Sequence, residues 1–352
     1  MTSELLSGPD RFAYHAGLDR SLRLGEGVAV GVSDRTFLLG LVAARDRAGA
    51  EVFVNSLTDA YRDMIVSYIE WANGLARALL ERTARQPEAK SHLRMAESIR
   101  RAETPRIADE VRIELAQLSS ARLWNDVEAR RRVLVSALNR PQDAEQAFDA
   151  LAGCARARHD HLVDAVQALC VEAVASLGEE AAVALLTDTL ARCSFYLPWW
   201  GALERATPEE RVVLLAEEFR LHWSGPMRHG SVLIQEEAES YRLVLAPCGS
   251  GGALLLRRSS AVRREHRPLL NGATWRNADA AAYCAHCAQN EFISVARFGY
   301  LAWATDLNPD PSGPCSWRVF KRPTLERPVC SPTGLHALAG REGAWSSGVV
   351  VR

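Results

Sequence analysis

Two periods divide the chain. From about residue 55 to residue 223 apolar side chains recur at three- and four-residue steps. Tyr61, Met64, Ile65, Tyr68, Ile69 and Trp71 follow Thr58-Asp59, a pair able to cap a helix. The same spacing predicts helices over 88–102, 106–138, 143–176, 178–196 and 208–223. The last has a full start signal in Thr207-Pro208-Glu209-Glu210, with Thr as N-cap, Pro in the first turn and Glu placed for a capping box. Pro105 and Pro141 stand where two of the others begin. At Ser224-Gly225-Pro226 the period shortens, and 231–235, 241–246, 253–256, 317–321 and 348–351 read as strands, with a helix over 288–298. Residues 1–40 give no decisive period. The expected fold is therefore α+β: a mainly helical domain over 1–225 joined to a smaller α+β, cysteine-rich, metal-binding domain over 226–352.

Composition narrows the function classes. The 352 residues carry 48% hydrophobic side chains and a net charge of −1, which fits a folded protein large enough for two cores and gives no sign of a nucleic-acid surface. Lysine occurs only at 90 and 321, so the basic residues are almost all arginine. No leader-like segment and no apolar stretch long enough to span a bilayer is evident, so the expected location is the cytoplasm, with no membrane partner. In a reducing compartment cysteines serve as thiols or metal ligands rather than as a disulfide framework.

Five of the eight cysteines fall in the last third. Cys248 lies in Pro-Cys-Gly-Ser-Gly-Gly, Cys284 and Cys287 in Tyr-Cys-Ala-His-Cys, Cys315 in Gly-Pro-Cys-Ser-Trp, and Cys330 in Pro-Val-Cys-Ser-Pro. A CxxC turn grips one ion with two thiolates, and sulfurs from separate loops complete the tetrahedral shell that zinc prefers, so Cys248, Cys284, Cys287 and Cys315 are the candidate ligands and Zn2+ the expected cofactor. Cys330 is a fifth candidate, and the ligand set stays open. Three sulfurs would leave a position for water or substrate; four would close the site. His286, between the CxxC cysteines, and Glu291, one helical turn beyond Cys287, are the candidate proton-transfer residues. Cys154, Cys170 and Cys193 read as core residues. Ser250 could donate a hydrogen bond to substrate, but its surroundings lack the full spacing of a nucleophile elbow. His159 and His161 diverge by roughly 200° on a helix, which points to a solvated polar face. His222 and His229, with Glu217 and Glu218, could face the metal region from the helical side. The Trp199-Trp200 pair reads as interdomain packing or as a pocket wall.

The pieces 247–252, 283–287 and 315–321 resemble a set of bacterial proteins that join a Pro-Cys-Gly-Ser-Gly-Gly loop to a Tyr-Cys-x-His-Cys turn and a Cys-x-Trp-x-Val-x-Lys strand. Some of these are similar to the L-2-amino-thiazoline-4-carboxylate hydrolase-like group, and the resemblance, which covers about the last third of the chain, implies opening of a small ring containing C–N or C–S bonds. Three readings follow. The first is a zinc-dependent hydrolase or lyase acting on a small organic metabolite. The second is a non-catalytic interaction protein with a structural four-cysteine zinc site. The third is acyl transfer through Cys248 as nucleophile. Zinc-finger binding of nucleic acid ranks below these, since the intervals do not match a finger and no Lys/Arg stripe surrounds them.

Overall fold

In the computed structural model the described residues are 12–16, 18, 20–23, 28–84, 121–193, 196–257, 280–308, 310 and 312–324. A short antiparallel hairpin, β1 (Phe12–His15) and β2 (Arg20–Arg23), precedes the helices α1 (Val28–Gly31), α2 (Asp34–Ala43), α3 (Arg47–Ala84), α4 (Ala121–Ala137), α5 (Pro141–Leu177), α6 (Glu179–Arg192), α7 (Tyr196–Arg205) and α8 (Pro208–Leu221). Then come β3 (Leu233–Glu236), β4 (Ser240–Leu245), α9 (Gly251–Arg257), a 3-10 turn (Ala282–Cys284), α10 (Ala285–Phe298), β5 (Leu301–Asp306) and β6 (Cys315–Thr324). The last four strands form one antiparallel sheet in the order β3-β4-β6-β5. This is the α+β arrangement expected, helical first and mixed afterwards.

Local chemistry explains the element ends. Thr207 and Glu210 exchange hydrogen bonds as a full capping box at the start of α8, and Pro141 opens α5. α10 stops at Gly299, whose φ of 77° is the left-handed conformation that glycine tolerates best. Two expectations need correction. Residues 253–256, expected as a strand, lie in α9, because Ala253 N and Leu254 N donate back to the carbonyls of Cys248 and Ser250 at 2.9 and 2.8 Å. Four apolar residues are too few to reveal a period. The helix expected over 178–196 ends at Arg192, and a new one starts at Tyr196. Strand β5 escaped the sequence reading because Leu301 to Thr305 are all buried, which erases the alternation of a one-faced strand. The helix expected over 88–102, the strand over 348–351 and Cys330 lie outside the described residues.

The hydrophobic core is continuous across residue 225, running from Leu38 and Ile65 on the helices through Leu162 and Phe219 to Trp303 and Val319 on the sheet. A column of rings, Trp200, Trp303 and Trp317, with centroids 5.7 Å apart at each step, stacks α7 onto the sheet. No helix among the described residues is long and apolar enough to cross a membrane.

Candidate active site

Between the helices and the sheet lies a partly open cavity of about 100 Å³. α3 supplies Tyr68 and Trp71, α7 supplies Trp199 and Trp200, and the end of α8 supplies Glu218 and His222. The sheet side brings Cys248, Ser250, Cys284, His286, Cys287 and Cys315 to the same space. Among the described residues no lysine or arginine lines it, and Glu218 is its one carboxylate. The tandem tryptophans are thus both packing residues and a pocket wall.

The Pro-Cys-Gly-Ser-Gly-Gly loop takes its path because glycine alone fits. A Cβ on Gly249 would meet His222 O at 1.7 Å and the Trp223 backbone at 2.4 Å, and one on Gly251 would lie 2.4 Å from Cys284 Sγ. Gly249 N donates to Ser224 Oγ at 3.2 Å, and Arg228 Nη2 donates to Gly249 O at 2.9 Å. The loop is held from both sides, and Ser250, 3% exposed, points where two histidines meet.

Ser250 Oγ lies 3.0 Å from His159 Nε2 and 2.6 Å from His222 Nδ1. His159 Nδ1 in turn lies 3.3 Å from Asp160 Oδ1. The protons can be assigned by counting. The carboxylate claims the proton on His159 Nδ1, so Nε2 carries the lone pair and accepts from Ser250. Asp160 is clamped by Arg228 through two 2.7 Å hydrogen bonds and by Arg257 at 3.1 Å. Burial would raise its pKa, but the hydrogen bonds from Arg228 and His159 outweigh that and hold the carboxyl well below its usual range. His159 is fully buried, and burial lowers its pKa to about 4 against the pull of Asp160, so it rests as a neutral base. This position corrects the sequence reading: His159 is buried in the core behind Ser250, not turned to solvent. Tyr68 and Tyr283 share a short hydroxyl hydrogen bond beside this group.

The thiols gather at the other end. Burial, reinforced by the neighbouring thiols, raises Cys284 and Cys287 well above the ordinary value, and burial with Cys248 pushes Cys315 up to about 12. The four candidate ligands Cys248, Cys284, Cys287 and Cys315 line one cavity. The donor set suits zinc in kind. In placement it does not yet do so: among the described residues no group of three or more His, Cys, Asp or Glu side chains is arranged to hold a metal ion. His286 Nδ1 donates to Tyr283 O at 2.6 Å, which leaves Nε2 as an acceptor 3.5 Å from Cys287 Sγ, and burial lowers its pKa to about 4. Glu291 is buried with Oε1 accepting from the Thr305 amide of β5, and Asn290 rather than Glu291 lines the cavity. Of the boundary residues, His222 and Glu218 line the cavity, whereas Glu217 is turned to Arg220 and Arg23.

The sequence reading missed the union of His159, Asp160 and Ser250. A signal was present: the buried stripe Ala155, Leu162, Val163 and Val166 passes through position 159 at helical spacing. Compared with family models, curated proteins and solved structures, the chain matches none.

Proposed function

We propose that the protein is an enzyme that hydrolyses a bond in a small organic molecule within this cavity, with Ser250 as the attacking group and His159, oriented by Asp160, as its base. The observation that carries this reading is the chain of contacts from Asp160 through His159 to Ser250, 3.3 and 3.0 Å, ending at a cavity wall. The parts correspond to the roles of a nucleophile, base and orienting carboxylate. Ser250 Oγ forms a bond to an electrophilic carbon while its proton passes to His159 Nε2. Asp160 stabilises the imidazolium so formed. The leaving group departs with that proton, and water then repeats the sequence to release the acid and restore Ser250. Aromatic walls and a lining without lysine or arginine favour an uncharged or cationic substrate over a carboxylate. A cytoplasmic setting belongs to the same proposal and rests on the cysteine spacing.

A small activated ester, p-nitrophenyl acetate, tests the reading. Ser250→Ala and His159→Gln should each lower the rate of nitrophenolate release on the order of 10²–10⁴-fold, the usual worth of a positioned base. Unchanged rates in both would refute it.

A second reading is a zinc-dependent cleavage for which Cys248, Cys284 and Cys287, with or without Cys315, would be the ligands and His286 the proton carrier, since Glu291 is turned away to the Thr305 amide. A zinc ion there would supply Lewis acidity and an activated water. Metal analysis with X-ray absorption on the purified protein separates the possibilities. One zinc with three sulfurs and a lighter ligand supports the catalytic form, four sulfurs the structural one, and protein free of metal that retains its activity removes zinc from the account.

A further inference from the structure

A second, much smaller cavity lies where the N-terminal hairpin meets α2, α3 and α8. Its volume is about 20 Å³, and Arg20, Arg23, Asp34 and Glu217 line it with Ser56 and Phe53. Arg220 joins the cluster from α8, ion-paired with Asp34 at 3.4 Å and, at shorter range, with Glu217. Arg23 is paired with Asp34 and donates to Val32 O at 2.7 Å, and its amide donates to Glu217 Oε1 at 3.0 Å. Arg20 is different. It is 7% exposed, its guanidinium carbon lies 4.5 Å over the Trp199 ring, and its Nε and Nη2 are buried with no hydrogen-bond partner among the described residues. Arg23 Nε and Arg220 Nε and Nη2 are likewise without one.

The charges in this cluster do not balance. Among the described residues Arg20, Arg23 and Arg220 face Asp34 and Glu217, three cations against two carboxylates, and each of the three arginines is at least nine-tenths buried. Burial first, and then the Arg220 charge, lowers the pKa of Arg23 to about 10 against the pull of Asp34 and Glu217. A buried guanidinium needs both a counter-charge and acceptors for its N–H groups. A water would satisfy the N–H groups but not the charge. A cavity of this size has room for about one water-sized ligand, which excludes sulfate or phosphate.

We propose that this pocket binds one small monovalent anion of the halide class, held by Arg20 Nε and Nη2 and by Arg23 Nε. The anion completes the contact between the hairpin and α8 and seats Arg20 on Trp199, whose ring also lines the large cavity. The site shares no residue with the Ser250 group, so its failure would leave the proposed function standing, and the reverse holds too.

The test is thermal unfolding of the full chain in chloride-free buffer, titrated with sodium chloride or with sodium gluconate at matched ionic strength. The unfolding midpoint should rise in chloride by about 2–4 °C for each tenfold increase above the dissociation constant and stay flat in gluconate. Bromide should act like chloride. Arg20→Gln should remove the difference between the two salts. Equal midpoints in chloride and gluconate, or an undiminished chloride response in Arg20→Gln, would overturn the proposal. A measurement without the variant is diffraction from crystals grown in sodium bromide: an anomalous peak within hydrogen-bond distance of Arg20 supports the site, and a light scatterer with no anomalous signal there refutes it.

Discussion

Ser250 has one hydroxyl proton and two imidazoles within reach, and the Asp160 carboxylate decides which of them receives it. The same geometry makes His159 an acid-sensitive residue. Its folded-state pKa of about 4 lies below the ordinary 6.5, so between those values the unfolded chain binds a proton that the native protein refuses. Stability therefore falls as pH drops from about 6.5 to 4 and is fully present above that window. The contribution is on the order of 3 kcal/mol at one pKa unit per 1.36 kcal/mol. Urea unfolding of wild type and His159→Gln at pH 7, 5.5 and 4.5 should show the variant losing about that much less on acidification; parallel curves would contradict the assignment. Cysteine positions were legible in the sequence because the residue type itself carries the chemistry. His159 was not, because His161 and Asp164 beside it suggested a polar face while its partner Ser250 lies 91 residues away.

At the scale of elements, the glycine loop between β4 and α9 sets the position of the site. Gly249 packs its Cα against the His222–Trp223 backbone, which cannot move aside as the end of a flexible side chain can. Gly249→Ala should lower the unfolding midpoint by at least about 5 °C, judged from the usual 2–4 °C per kcal/mol in domains of this size class. The control is Gly74→Ala, within helix α3, where nothing lies within 4 Å of the added methyl. It should be neutral or stabilising by up to about 1 kcal/mol, since alanine favours helix more than glycine does. Equal losses in the two variants would show that the loop tolerates a side chain. Helices were legible wherever long stripes and caps agreed, as at Thr207 and Pro141. β5 and α9 were not, because Leu301–Thr305 is buried on both faces and the 253–256 run is too short to show a period.

For the whole molecule, the sequence period marks a change of structure at residue 225 but not a break in the core, which runs through both halves. The cavity exists because of that continuity. Helices α3, α5 and α8 bring Tyr68, His159 and His222 to the same loop that carries Cys248 and Ser250. Arg228 and Arg257, both from the region after the period change, hold Asp160 of α5 in place. Fold class follows from periodicity, whereas convergence of distant segments follows from tertiary packing and leaves only a faint trace in one chain's sequence. The account rests on Ser250 being the attacking group, and the most direct measurement is the site of acyl transfer after a brief reaction with p-nitrophenyl acetate, read by peptide mass spectrometry. One acetyl group on the peptide bearing Ser250, resistant to the neutral hydroxylamine that strips thioesters and lost in His159→Gln, is the predicted result. Acetylation of Cys248 or another thiol, or none at all, would contradict it.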